Sequence, residues 1–185
     1  EFDKNEFSES KILDDQCSYL LAHDFIDGQF TITLKPSFMS LQSRDFLSKT
    51  LAIKSKNSQI EIELGNSLGA IKIGNETTTL LPSTSGDFLI TRELNVVTAT
   101  SRLGFKVQCN LEFDVCHFEM SGWYFGKIAG VLGTMNNENY DDLTTSDNEV
   151  IESKEKFIES WITKGNQPER ESINASIDNE LQEGL

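Results

Sequence analysis

Apolar and polar residues alternate with a period of two over much of the first two thirds of the chain. Phe30, Ile32 and Leu34 share one parity across Thr31 and Thr33, Ile60, Ile62 and Leu64 alternate with Glu61 and Glu63, and Ile71 and Ile73 flank Lys72. Successive side chains of a strand point to opposite faces, so each run predicts a half-buried strand. The longest run holds Phe105, Val107, Cys109, Leu111, Phe113 and Val115 on one parity, after which Cys116, Phe118 and Met120 take the other. A one-residue slip turns every side chain over, so a bulge or turn is predicted near that reversal. Asp27-Gly28, Gly65 to Gly69, Gly74-Asn75, Ser85-Gly86 and Leu103-Gly104 punctuate the runs. Many short strands so spaced, from Cys17 to about Leu132, predict a mainly β fold: an antiparallel β-sandwich of two sheets.

The period then becomes helical. Phe157, Ile158, Trp161 and Ile162 recur at helix spacing behind Ser153, a good N-cap, with Gly165 as the terminator. This predicts one C-terminal α-helix pinned to a sheet by Phe157 and Trp161. Residues 166–185 are polar, acidic and nearly free of aromatics. They read as a linker or disordered tail, leaving 1–165 as a single domain.

Between strands and helix lies Gly122 to Asp142. It reads as an aromatic strand running into the glycines Gly126, Gly130 and Gly133, then into Asn136, Asn137, Glu138, Asn139, Asp141 and Asp142. Hard cations such as calcium take about six to eight oxygens from carboxylates, amides and carbonyls, which this loop supplies. A solvated polar loop is the plainer alternative. The aromatics of Gly122 to Phe125 are expected inside the sandwich, with lipid contact as the other option. The loop is not an EF-hand, since the loop glycine and the preceding helix are both missing.

With 185 residues the chain is long enough for one domain with a core and a tail. Its 30 acidic and 16 basic residues leave a net charge of −14. That disfavours nucleic acid, which needs clustered cations, and anionic membrane surfaces. It suits a cation binder or a soluble, self-repelling protein. No apolar run reaches the length of a membrane span, and no signal peptide opens the chain. A start at Glu1 reads as a mature or excised fragment.

Of three cysteines, Cys109 and Cys116 are candidates for a bridge within a hairpin, leaving Cys17 free or paired outside this sequence. Spacing alone does not settle the connectivity, and no C-x-x-C redox motif is present. Asn75-Glu76-Thr77 and Asn174-Ala175-Ser176 are N-glycosylation sequons. Gly65-Asn66-Ser67-Leu68-Gly69 spells the G-x-S-x-G of a serine-hydrolase elbow, but that motif needs a helix after it, and Ala70 to Ile73 reads as strand. Its histidine would have to be His117, inside a β segment. His23-Asp24 is an acid–base pair or, more simply, a strand end with a polar turn.

Taken in order, these pieces resemble the von Willebrand factor type D domain. Phe2-Asp3 followed by Phe7 is similar to the end of that family's T-F-D-G turn, and Cys17 to Ala22 to its C-x-Y-V-L strand. Gly130 to Asn136 matches G-L-C-G-x-Y-N, Asp141 to Thr144 matches D-D-F-L-T, and Ser160-Trp161 matches the S-W of the closing helix. Leu132 stands where most members carry Cys, Glu138 and Tyr140 replace small or amide residues, and the G-D-P-H stretch upstream of Phe2 is absent. By this resemblance the chain starts inside the domain or after a cleavage. The wording Gly122 to Lys127, then Leu132 to Asn137, resembles the arthropod apolipophorin branch of the large lipid transfer proteins. Vitellogenins and crustacean clotting proteins, with yolk-storage or structural polymer roles, carry related domains. The resemblance implies a non-catalytic module of a lipoprotein secreted into haemolymph, partnered by the other domains of that protein, which carry the lipid. It also implies Ca2+ held between the Asp3 turn and the acidic loop, a role that passes by position to Asp3, Asn136, Asp141 and Asp142, with Glu138 contributing a side chain or a carbonyl.

Overall fold

The structure, a computed structural model, describes residues 17–41, 44–65, 71–138 and 140–163. Two antiparallel sheets pack face to face. The first is built from β1 (Tyr19–Asp24), β2 (Phe30–Leu41), β3 (Arg44–Ser55), β4 (Gln59–Glu63), β5 (Ile71–Ile73) and β6 (Glu76–Thr78). Its other edge is closed by the short β12 (Ile128–Ala129), giving the order β12-β1-β2-β3-β4-β5-β6. The second holds β7 (Ser83–Ser85), β8 (Phe88–Glu93), β9 (Val96–Ser101), β10 (Phe105–Asn110) and β11 (Val115–Met120), in the order β11-β10-β9-β8-β7. One helix, α1 (Lys154–Ser160), follows. This is the sandwich with one C-terminal helix that the alternation predicts; residues 166–185 and the boundary at 165 lie outside the described residues.

The alternating positions form the core. Ile32, Ile53, Ile60, Ile62 and Ile71 of the first sheet and Ile90, Val97, Ala99 and Val107 of the second are essentially sealed from solvent. At one end of the sandwich an aromatic cluster joins the sheets. Phe30 lies 4.5 Å from Phe105 and 5.2 Å edge-on from Tyr124, centroid to centroid, and Phe88 lies 6.0 Å from Phe105. Such offset and edge contacts add to the area buried.

The parity reversal after Leu111 is a turn. Residues 111–114 fold back, with Asp114 in the left-handed region (φ 55°), and β11 pairs with β10 in the register Cys109↔Cys116, Val107↔Phe118 and Phe105↔Met120. The reversal comes earlier than alternation suggests, because Phe113 and Val115 are 68% and 47% exposed instead of sharing the inner face. Cys109 and Cys116 are bridged, and Cys17 is unbridged. Closing so short a loop stabilises by roughly 2–3 kcal/mol in the chain-entropy account.

Gly122 to Phe125 is not a strand. Residues Gly122–Tyr124 form a single 3-10 turn, and residues 125–127 a further turn, before the two residues of β12. The chain must cross here from the edge of one sheet to the edge of the other, and Gly126, with a left-handed φ of 66°, makes the second of its two turns. As a result only Tyr124 is buried, while Trp123 and Phe125 stay exposed. Helix α1 begins as expected, with Ser153 Oγ accepting the Lys156 N–H at 3.3 Å. It ends before Gly165, because Ile162 forms a bridge with Tyr19 and the Thr163 N–H donates to the Ser18 carbonyl at 2.8 Å. Pairing with the edge of β1 takes over from helix propagation.

Candidate functional site

The acidic loop is suspended between β12 and α1. At its start Gly130 crosses the edge of β1, where the Val131 and Leu132 N–H groups donate to the Leu20 and Leu21 carbonyls at 3.0 and 2.9 Å. At its end the Trp161 indole N–H donates to the Thr144 carbonyl at 3.2 Å, and the Ser146 N–H donates to Ser160 Oγ at 3.2 Å. The loop is therefore tied at one side to a sheet edge and at the other to the helix.

Within it the predicted ligand residues divide into two groups. Asp141 is held inside the loop: its carboxylate accepts from Asn136 Nδ2 at 2.8 Å and from Thr134 Oγ1 at 3.2 Å. Asn136 Oδ1 accepts the Glu138 N–H at 2.9 Å, and Asn137 takes a left-handed φ of 63° to make this tight reversal. Asp142, the next residue, turns the other way. It is 5% exposed and packs under Gly133, where an added Cβ would come within 3.0 Å of its carboxylate. Asp142 lines a cavity of about 510 Å³ together with His23 of β1, Phe25 of the turn that follows it, Gly133 and Thr134, Thr144 and Trp161. Glu138 is exposed. Asp3 lies outside the described residues, as does Asn139.

The donors gathered here are carboxylate, amide, hydroxyl and carbonyl oxygens, the hard set that suits calcium in kind. Among the described residues no three Asp, Glu, His or Cys side chains converge on one point. The contribution expected from Asp3 falls outside what is described. Thr134, Thr144 and His23 belong to the site as well. Thr144 closes the D-D-F-L-T match in the sequence, but its place and that of Thr134 at the cavity come from the way the loop folds onto β1.

His23-Asp24 is a strand end with a polar turn. Asp24 is 1% exposed and ends β1 by accepting the N–H groups of Ile26, Asp27 and Gln29 at 3.2, 3.0 and 3.3 Å. This is the polar-turn reading, since an Asp side chain satisfies the backbone of the turn that follows it. His23 lies between the rings of Phe25 and Trp161, 6.3 and 6.2 Å away. Burial lowers its pKa from the ordinary value, and the neighbouring Asp24 carboxylate opposes that shift. A histidine depressed in the folded state contributes stability above its unfolded value of about 6.5, which is lost as pH falls further. Thermal melting from pH 7.5 to 5 should therefore fall more steeply for the native chain than for His23→Gln; parallel curves would exclude this histidine as a source of acid lability.

Ser67 and Gly69 lie outside the described residues, and among the described residues the chain resumes at Ile71 as strand β5, antiparallel to β4, where a hydrolase elbow would run on into a helix. His117 is exposed on β11. Asn75 is exposed on the turn between β5 and β6, and Asn174 lies outside the described residues.

Residues 2–149 match the von Willebrand factor type D domain family. The chain is similar to the apolipophorins of Locusta migratoria, 36% identical over 145 residues that make up 78% of this chain and 4% of the relative. It is 30% identical to an apolipophorin of Galleria mellonella over 145 residues, 78% of this chain and 9% of the relative. A shorter stretch, 76 residues or 40% of the chain, is 32% identical to 3% of the zonadhesin of Homo sapiens. The chain thus spans less than a tenth of the length of each of these relatives.

Proposed function

The chain belongs to the von Willebrand factor type D family, and from that premise we propose that it is a non-catalytic, calcium-stabilised module of a secreted lipid-transport protein. The observation that carries this reading is the similarity to proteins named apolipophorins over 78% of the chain. Since the chain covers so little of those relatives, lipid cargo belongs in this reading to other parts of a longer protein, and its nearest partners are the neighbouring domains.

Calcium would be held by Asp3, Asn136, Asp141 and Asp142, with Glu138 adding an oxygen. Support comes from the all-oxygen character of the loop and from the Asp142 carboxylate at the cavity wall. An ion there would offset the acidic crowding of the loop and couple the residues before Cys17 to the segment before α1. Because the site is assembled only in the folded chain, binding energy becomes folding energy. At about a hundredfold excess over Kd it adds roughly 2.7 kcal/mol. For a domain of this size that is on the order of 5–10 °C in Tm. Melting in EDTA and in millimolar calcium tests this directly. A calcium-dependent rise that Asp142→Asn abolishes is expected, and identical melting in both buffers would sink the calcium part of the reading.

A further inference from the structure

Four large apolar side chains stand in the open at one end of the sandwich. Phe25 and Ile26 are 49% and 59% exposed on the turn between β1 and β2, and Trp123 and Phe125 are 65% and 52% exposed beyond β11. The two turns are joined. The Phe25 N–H donates to the Lys127 carbonyl at 3.1 Å, and Lys127 Nζ lies 3.5 Å from the Asp27 carboxylate and 4.1 Å from the centre of the Trp123 ring. Each turn is also anchored from inside, one by buried Asp24 and the other by buried Tyr124. The exposed residues are thus presented by rigid supports.

The backbone at this tip is open to solvent: a Cβ added at Gly28, Gly122 or Gly126 would meet no atom within 4 Å. Aromatic side chains carry about 150–250 Å² each, so the four expose on the order of 400 Å² of largely apolar surface. That is as much as a monomer ordinarily leaves in one patch, and about half of what each side of a stable protein–protein interface buries. A patch this small is therefore a poor protein epitope. A lipid interface receives exposed rings of this kind, and Trp and other amphipathic rings settle at headgroup depth. Charge selects the kind of lipid. Lys127 at the tip is offset by Asp27, and the whole chain carries −14, so anionic headgroups repel it while zwitterionic ones do not.

We propose that Phe25, Ile26, Trp123 and Phe125 form an interfacial anchor that seats this domain itself on a zwitterionic phospholipid surface. This goes beyond the function above, where other parts of a longer protein carry the lipid, and it does not depend on calcium. Co-sedimentation of the 185-residue chain with phosphatidylcholine vesicles, with and without chelator, is the test. The native chain should bind, and Trp123→Ser/Phe125→Ser should lose roughly tenfold or more in partitioning while its melting curve is unchanged. Vesicles carrying brominated acyl chains should quench Trp123 and spare the buried Trp161. Absence of binding would overturn the proposal, as would binding that grows with phosphatidylserine content and survives the double substitution. A dimer that forms without lipid and disappears in the double variant would assign the tip to a second copy and overturn it too. Failure of the calcium reading would leave vesicle binding intact in chelator, so the two results are separable.

Discussion

Gly130→Ala is expected to destabilise the domain by about 3–5 kcal/mol, a large share of the roughly 5–15 kcal/mol that holds an ordinary domain folded. Gly130 has φ 145°, where side chains are strongly disfavoured. A Cβ there would overlap the Leu21 carbonyl oxygen and lie 2.6 Å from its carbon and 2.9 Å from the Ala22 nitrogen. All three are backbone atoms of β1, so no side chain can swing aside to make room. The close approach is also what allows Val131 and Leu132 to complete the edge of β1. Relief would require the loop to lift from the strand, taking Gly133 and Asp142 with it. Expression and thermal melting of Gly130→Ala beside Gly126→Ala read this out. A Cβ at Gly126 meets nothing within 4 Å, so its cost is confined to the left-handed φ of 66°. Equal melting temperatures for the two variants would show that the backbone approach at Gly130 does not matter.

The second large effect is expected at Tyr124. Its ring is fully enclosed, edge-on to Phe30, and its hydroxyl donates to the Leu103 carbonyl at 2.8 Å. Tyr124→Ala should cost about 3–5 kcal/mol through lost burial and the cavity left behind. In a domain of this size that is on the order of 10 °C in Tm. Tyr124→Phe keeps the ring and should cost about 1 kcal/mol, the share of a single hydrogen bond. The alkaline limb separates the two contributions. Burial raises the Tyr124 pKa, and the Asp24 and Asp27 carboxylates add to the shift. A group raised in the folded state contributes stability below its unfolded value of about 10, which is lost as pH climbs through the folded value. The stability gap between the native chain and Tyr124→Phe should therefore narrow above about pH 10. A gap that stayed constant would mean the phenol does not ionise on unfolding in this window.

Tyr124 also shows where reading along the chain stops being sufficient. Gly122-Trp123-Tyr124-Phe125 looks like a strand because aromatics favour strands, and their burial then follows. In the fold the segment has to link β11 at the edge of one sheet to β12 at the edge of the other, so it turns, and only one of its three rings reaches the core. Alternation is a local property, and where a strand lies in a sheet with one buried face it specifies that face directly. Thus Ile60 and Ile62 of β4, and Phe105 and Val107 of β10, are buried as their spacing requires.

The sequence by itself determined the antiparallel strands, the Ser153-capped helix and the family, and it named Cys109 and Cys116 as candidates for a bridge that the structure closes. Each of these is written in spacing over a few residues or in short ordered motifs. Only the tertiary structure decided that Asp141 turns into its own loop while Asp142 lines a cavity, that α1 stops where Ile162 meets Tyr19, and that Trp123 and Phe125 share a tip with Phe25 and Ile26. Except for the bonds that hold Asp141 inside its own loop, those outcomes depend on contacts between segments far apart in the chain. Their free energies come from desolvation and backbone pairing at the edge of β1, which no local periodicity records.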